Sequence, residues 1–137
     1  MPVVDASVVV DWVVPDADPR GPSRRLLERW AVEDARVLAP RLLIEEVANA
    51  LLTGCRRARW SGPEADAGFR LLLRLPVELA DSSADVKRAW ELSRRYDDHP
   101  VYDMLYVALA ERIGHRLVTA DARLRDRLVG VDYVVAP

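Results

Sequence analysis

A single cysteine, a single lysine and two histidines in 137 residues each close off a class of protein. Cys55 has no partner for a disulfide within the chain, so a packed core must hold the fold, and a reducing compartment, the cytoplasm, is the expected location. Lys87 is the only lysine, which tells against phosphate chemistries that need a lysine at a strand end. No run of apolar residues is long enough for a membrane span, because Asp5 and Asp11 interrupt the apolar start, which also lacks a basic leader region. Strong charge of one sign is missing too. With 20 basic against 22 acidic residues, no global field favours a nucleic acid or a membrane, and a nucleic-acid partner would need a local patch.

What is present is a chain of one-domain size, half hydrophobic, with short strands alternating with helices. Val3-Val4 reads as a buried strand, followed by a short helix from Ser7 to Val14 and a Pro-rich loop over 15–22. Ser23 is expected to cap a helix to about Glu33, and Val37 to Ala39 to form a strand. Pro40 is expected to open a helix running from Arg41 to about Arg59. Ser61-Gly-Pro-Glu suggests a new helix start, with Ala65 to Leu75 helical by spacing. Val77 to Ala80 is a strand, and residues 81–85 cap a helix through Arg95. Val101 to Ile113 is a helix closed by Gly114. Arg116 to Thr119 is a strand, Ala122 to Leu128 a helix, and Val131 to Val135 the last strand. This alternation predicts a single α/β domain over 1–137, with a central parallel sheet of four to five short strands flanked by helices in three layers.

Two strands end in an acid, Asp5 and Asp121, and parallel strands would bring both carboxylates to one rim of the sheet, where ligands of open α/β sheets bind. Each could equally be a helix N-cap. Asp103 enters an otherwise apolar helix, where a charge is costly unless paired or bound to a cation, although a first-turn acid also suits the helix dipole. Glu45 and Glu46 lie inside their helix, Glu46 several residues past Pro40 where capping cannot explain it, and periodicity does not decide which of them points inward.

Four stretches, Val-Val-Asp-Ala-Ser (3–7), Pro-Arg-Leu-Leu-Ile-Glu-Glu-Val-Ala-Asn-Ala-Leu (40–51), Tyr-Asp-Met-Leu-Tyr-Val-Ala-Leu-Ala-Glu (102–111) and Leu-Val-Thr-Ala-Asp-Ala-Arg-Leu (117–124), occur in an order that resembles PIN-domain ribonucleases. More narrowly, they are similar to the VapC toxins of type II toxin–antitoxin pairs. The resemblance implies a PIN-like fold with Asp5, Glu46, Asp103 and Asp121 as catalytic and metal-holding acids, which selects Glu46 over Glu45. It places Ser7, Asn49 and Thr119 as polar groups supporting them. It further implies a metal-dependent endoribonuclease, an RNA substrate, a cognate VapB-type antitoxin that links the toxin to DNA only indirectly, and a homodimer.

Carboxylates without histidine or cysteine favour Mg2+, with Mn2+ as a substitute, and such an ion would activate water for phosphodiester hydrolysis. Arg20, Arg41 and Arg123, near the rim, are the candidate RNA contacts, each with a solvated surface charge as the plainer explanation. His99 reads as polar surface and His115 as structural, Tyr102 and Tyr106 as core or support, and the tryptophans as packing or interface. An antitoxin groove is expected around Trp12, Leu43 and the 15–22 loop. Two other functions compete: a catalytically silent binding module with the same fold, and an acidic-site phosphotransfer domain, for which Lys87 lies in the wrong element and Ser7 replaces a needed second acid.

Overall fold

The computed structural model describes residues 1–137. Five short parallel strands, β1 (Val3–Val4), β2 (Val37–Pro40), β3 (Val77–Ala80), β4 (Leu117–Val118) and β5 (Val134–Val135), form one sheet in the order β3-β2-β1-β4-β5. Helices α1 (Ala6–Val13), α2 (Pro22–Val32), α3 (Leu43–Arg56) and α4 (Gly62–Leu72) pack on one another. Helices α5 (Ser83–Arg95) and α6 (Val101–Ile113) form a closely packed pair, with α6 lying against β1, β2 and β4, and α7 (Ala122–Arg127) follows β4. β1 is central and fully buried, which is why it reads as an unbroken apolar pair rather than an alternation. No helix is long and apolar enough to cross a membrane.

Register sets the site. Val3 faces Leu117 and Val4 faces Val118, so the residues leaving the carboxyl ends of β1 and β4, Asp5 and Thr119, emerge side by side. Asp5 N–H continues the ladder to the Val118 carbonyl at 3.0 Å before the chain turns into α1.

Several expected boundaries move, each for a local reason. Pro40 is the last residue of β2, not the first of a helix, because β2 stays paired with β3 through Pro40 opposite Ala80, and Arg41 N–H still bonds to the Ala80 carbonyl. α3 therefore begins at Leu43. It ends at Arg56 because Ala58 takes a left-handed conformation (φ 55°) that folds Trp60 back onto the helix. Ser23 is not a cap: Gly21 caps α2 with Pro22 in the first turn, and the buried Ser23 hydroxyl donates to Asp11. α4 starts three residues before the spacing suggested, at a capping box made by Ser61 and Glu64, and stops at Leu72. Asp85 is buried against Arg112 of α6 instead of capping α5. β5 is only two residues long because its partner β4 offers only two.

Candidate functional site

Asp5 sits where β1 hands over to α1, and its carboxylate is almost fully buried. It serves as the α1 N-cap through a weak bond from Ser7 N–H, but its stronger partners are hydroxyls. Ser7 Oγ donates to Asp5 Oδ2 at 2.6 Å and Thr119 Oγ1 donates to the same oxygen at 2.9 Å. Those hydroxyls also accept backbone N–H bonds, from Ala120 to Ser7 and from Asp121 to Thr119, which ties the ends of β1 and β4 into one rigid corner. Burial pushes the Asp5 carboxyl above its usual range, the two hydroxyls pull it back, and the charge of Asp103 adds to the rise.

Because α3 begins at Leu43, Glu46 arrives from its first turn and not from well inside the helix. Its neighbour Glu45 points outward into an exposed ion pair with Arg41, whereas Glu46 turns in and accepts a 3.0 Å hydrogen bond from the buried Tyr106 hydroxyl of α6. Desolvation raises the Glu46 carboxyl to about 7; the Tyr106 bond opposes this, and the charges of Asp5 and Asp103 reinforce it. Tyr106 in turn is held far above its ordinary value by burial and by the same three acids. Asp5, Glu46 and Asp103 therefore lie in one another's field.

Asp103, in the first turn of α6, has a partner that sequence reasoning missed. His99 Nε2 lies 2.7 Å from Asp103 Oδ2, and its side chain is only 11% exposed, which corrects its reading as polar surface. The cause is the preceding turn. Asp97 and Asp98 both adopt left-handed backbone (φ 55° and 56°), with ion pairs to Arg127 and Arg94, and the chain then passes through extended Pro100 into α6, so that His99, outside the helix, folds back onto Asp103 of its first turn.

Asp121 stands apart electrostatically. Its Oδ1 accepts the N–H groups of Arg123 and Leu124, so it caps α7, and it is not among the groups that shift Asp5 or Glu46. Its second oxygen carries no protein hydrogen bond. Asn49 is exposed and bonds none of the four acids, but it lines a cavity of about 330 Å³ with Glu46, Thr53, Arg57, Arg59 and Trp60. Of the three expected arginines none forms an ion pair with the four acids. Arg20 and Arg123 are exposed, and Arg41 is engaged with Glu45 beside a separate apolar cavity. Arg57 and Arg59 border the cavity instead, placed there by the turn at Ala58.

Trp12 and Leu43, the residues of the expected groove, line two different cavities, Leu43 an apolar one of about 290 Å³ and Trp12 one of about 100 Å³. Both are core residues, with Trp12 Nε1 donating to the Ser23 carbonyl and its ring edge-on to Trp30. Tyr102 is exposed, not core, and so is Trp90.

No three Asp, Glu, His or Cys side chains stand close enough to grip an ion among themselves. A hard divalent cation nonetheless suits the donor set: all-oxygen, with two acids pushed towards protonation by burial and by neighbouring carboxylates, and Mg2+ commonly uses one or two carboxylates and keeps several waters.

Residues 3–127 match the family described as PIN domain. Two curated relatives cover nearly the whole chain. Ribonuclease VapC9 of Mycobacterium tuberculosis is 33% identical over 126 residues, covering 92% of this chain and 90% of its own length. Ribonuclease VapC3 of the same organism is 36% identical over 122 residues, covering 89% and 83%. Among solved structures, the Sarcin-Ricin loop cleaving toxin VapC20 of M. tuberculosis superimposes with a TM-score of 0.69 at 20% identity, covering 92% of this chain and 94% of that one, a likeness of fold. FitAcB from Neisseria gonorrhoeae gives 0.66 at 16% identity, covering 100% and 97%. The chain belongs to the PIN-domain family, in its VapC ribonuclease branch.

Proposed function

We propose that this chain is the toxin of a toxin–antitoxin pair, an endoribonuclease that hydrolyses RNA phosphodiesters with Mg2+, or Mn2+ in its place. The observation that carries this reading is the meeting of Asp5, Glu46 and Asp103 from three separate elements, with the charge of Asp103 raising both other carboxyls and that of Asp5 raising Glu46, in a chain of the VapC family. Asp5, Glu46 and Asp103 would hold the ion between them, some through its waters, since the three do not close on one point. The bound cation supplies an activated water and screens the charge that builds on the phosphoryl oxygens. The protein's own groups fix the geometry beforehand: Ser7 and Thr119 immobilise Asp5, Tyr106 orients Glu46, and His99 holds one oxygen of Asp103. Asp121, anchored to α7 by Oδ1, has its other oxygen to orient the attacking water. The neutral Tyr106 hydroxyl keeps its proton throughout, because burial and then the three acids oppose its ionisation.

The same reading assigns the chain a cytoplasmic location, a homodimeric state and a small antitoxin partner; one solved structure of similar fold is titled a toxin-antitoxin complex from Klebsiella pneumoniae. The test is cleavage of total cellular RNA with and without Mg2+ by wild type and Asp5→Asn. Wild type should cut only with the cation, and the variant should lose at least 100-fold, on the order expected when a group acting on the transition state is removed. Equal cleavage by both proteins, or none by wild type, would sink the proposal.

A further inference from the structure

Glu46 does not end the polar chemistry of α3. Glu46, Asn49, Thr53 and Arg57 follow one another at steps of three and four, which places them on one face of the helix. All four line the 330 Å³ cavity, so the stripe faces open space and not the core. At the helical rise per residue, Glu46 and Arg57 are separated by roughly 16 Å along the axis. Arg59 stands beside Arg57 with its guanidinium 4.9 Å from the centre of the Trp60 ring and 2.7 Å from Asp16. That single bond to Asp16 leaves most of its five N–H donors available while fixing the plane of the group. Arg57 is exposed and takes part in none of the protein's ion pairs.

We propose that this face of α3 is the track for a single-stranded RNA, with the scissile phosphate at Glu46 and a phosphate a few nucleotides along the same strand held by Arg57 and Arg59. The proposal rests on the ribonuclease reading and adds the direction in which substrate leaves the acids. Charge complementarity argues for the occupant. An arginine pair at one end and an amide and hydroxyl in the middle are the side-chain types that contact phosphate and sugar, and the carboxylate end accepts a phosphate only where a cation lies between them. A local track of this kind also reconciles an RNA substrate with a chain whose formal net charge is −2.

The test is fluorescence anisotropy of a labelled, randomised single-stranded RNA in chelator, where nothing is cut, over a range of salt. Each lost phosphate contact lowers the slope of log affinity against log salt by about 0.7. Arg57→Gln should therefore flatten the slope by about 0.7 and the Arg57→Gln/Arg59→Gln pair by about 1.4, while Arg57→Lys keeps it. Arg70→Gln, an exposed arginine of α4 outside the cavity, should change nothing. In cleavage, Arg57→Gln should lose kcat/KM mainly through KM. Should removal of the Asp16 ion pair unfold the double variant, the single Arg57→Gln result decides alone. An unchanged slope and affinity for Arg57→Gln, or an equal loss for Arg70→Gln, overturns the track. Metal-dependent cleavage abolished by Asp5→Asn alongside that result would leave the ribonuclease reading standing; no cleavage by wild type would remove both.

Discussion

Glu46→Gln should stabilise the protein while abolishing its activity, and the effect should vanish in acid. The Glu46 carboxyl is raised from 4.5 to about 7 in the folded state, chiefly by desolvation. Below about 4.5 it is protonated whether the chain is folded or not and costs nothing; as pH rises to about 7 the unfolded chain ionises while the native state does not, and stability falls. At 1.36 kcal/mol per pH unit the full penalty is about 3 kcal/mol, and partial exposure of the side chain reduces it to about 1–2 kcal/mol. Glutamine keeps the shape and its Oε1 still accepts from Tyr106, so the substitution removes the charge and little else. Thermal unfolding in chelator at about pH 8 should show a gain of about 3–10 °C for the variant, taking about 3–5 °C per kcal/mol for a chain of this length. At about pH 4.5 the two curves should coincide. Mg2+ should raise the wild-type midpoint at the higher pH more than the variant's, since it binds the native carboxylates. A variant less stable than wild type, or equally favoured at both pH values, would refute the electrostatic account of Glu46.

Three further outcomes follow from neighbouring contacts. Tyr106→Phe deletes a bond that favours ionised Glu46, so the acidic limb of the cleavage pH profile should move to higher pH, with a stability loss of about 0.5–1.5 kcal/mol; an unmoved or lowered limb would contradict it. His99→Ala frees Asp103 and should weaken Mn2+ binding, followed by titration of the ion's spin-resonance signal, by about 10–100-fold; His99→Gln should recover part of it, and undiminished binding by the alanine variant would show that His99 does not position Asp103. Gly54→Ala would place a Cβ 1.9 Å from the Trp60 ring, so denaturant unfolding should register a loss of about 1–3 kcal/mol even though alanine is the better helix former, and a gain would show that Trp60 does not pack there.

The order of strands and helices was readable because each α/β unit carries its own punctuation. α6, bounded by Pro100 and Gly114, agrees with its expected limits to the residue, since both ends are set by local backbone chemistry. Errors arose where the deciding partner was distant. Nothing near Pro40 announces that β3 will hold it in a strand, and nothing near Ser23 announces that Asp11 will take its hydroxyl. The acids show the same division. Asp5 was legible because a buried strand delivers it, whereas the choice between Glu45 and Glu46 depends on Tyr106, sixty positions away, and on Arg41 drawing Glu45 outward.

His99 exposes a different limit. A histidine flanked by Asp97, Asp98 and Pro100 has the composition of a solvated loop. Its distance of four from Asp103 is no signal by itself, because Pro100 between them is extended (ψ 130°) and His99 lies outside α6. The contact instead follows two consecutive residues in left-handed backbone, a conformation costing on the order of 1–2 kcal/mol each for side chains other than glycine. Aspartate bears it more readily than most residues, and here each aspartate is also tied to an arginine of another element, Arg127 of α7 and Arg94 of α5. The turn that looks like surface is thus held from two sides so that one imidazole meets one carboxylate. The polar stripe of α3 is the converse case. Glu46, Asn49, Thr53 and Arg57 were visible in the sequence as a helical repeat, but an amphipathic helix has many polar positions, and only the return of Trp60 onto Gly54 shows which of them border a cavity and which meet open solvent.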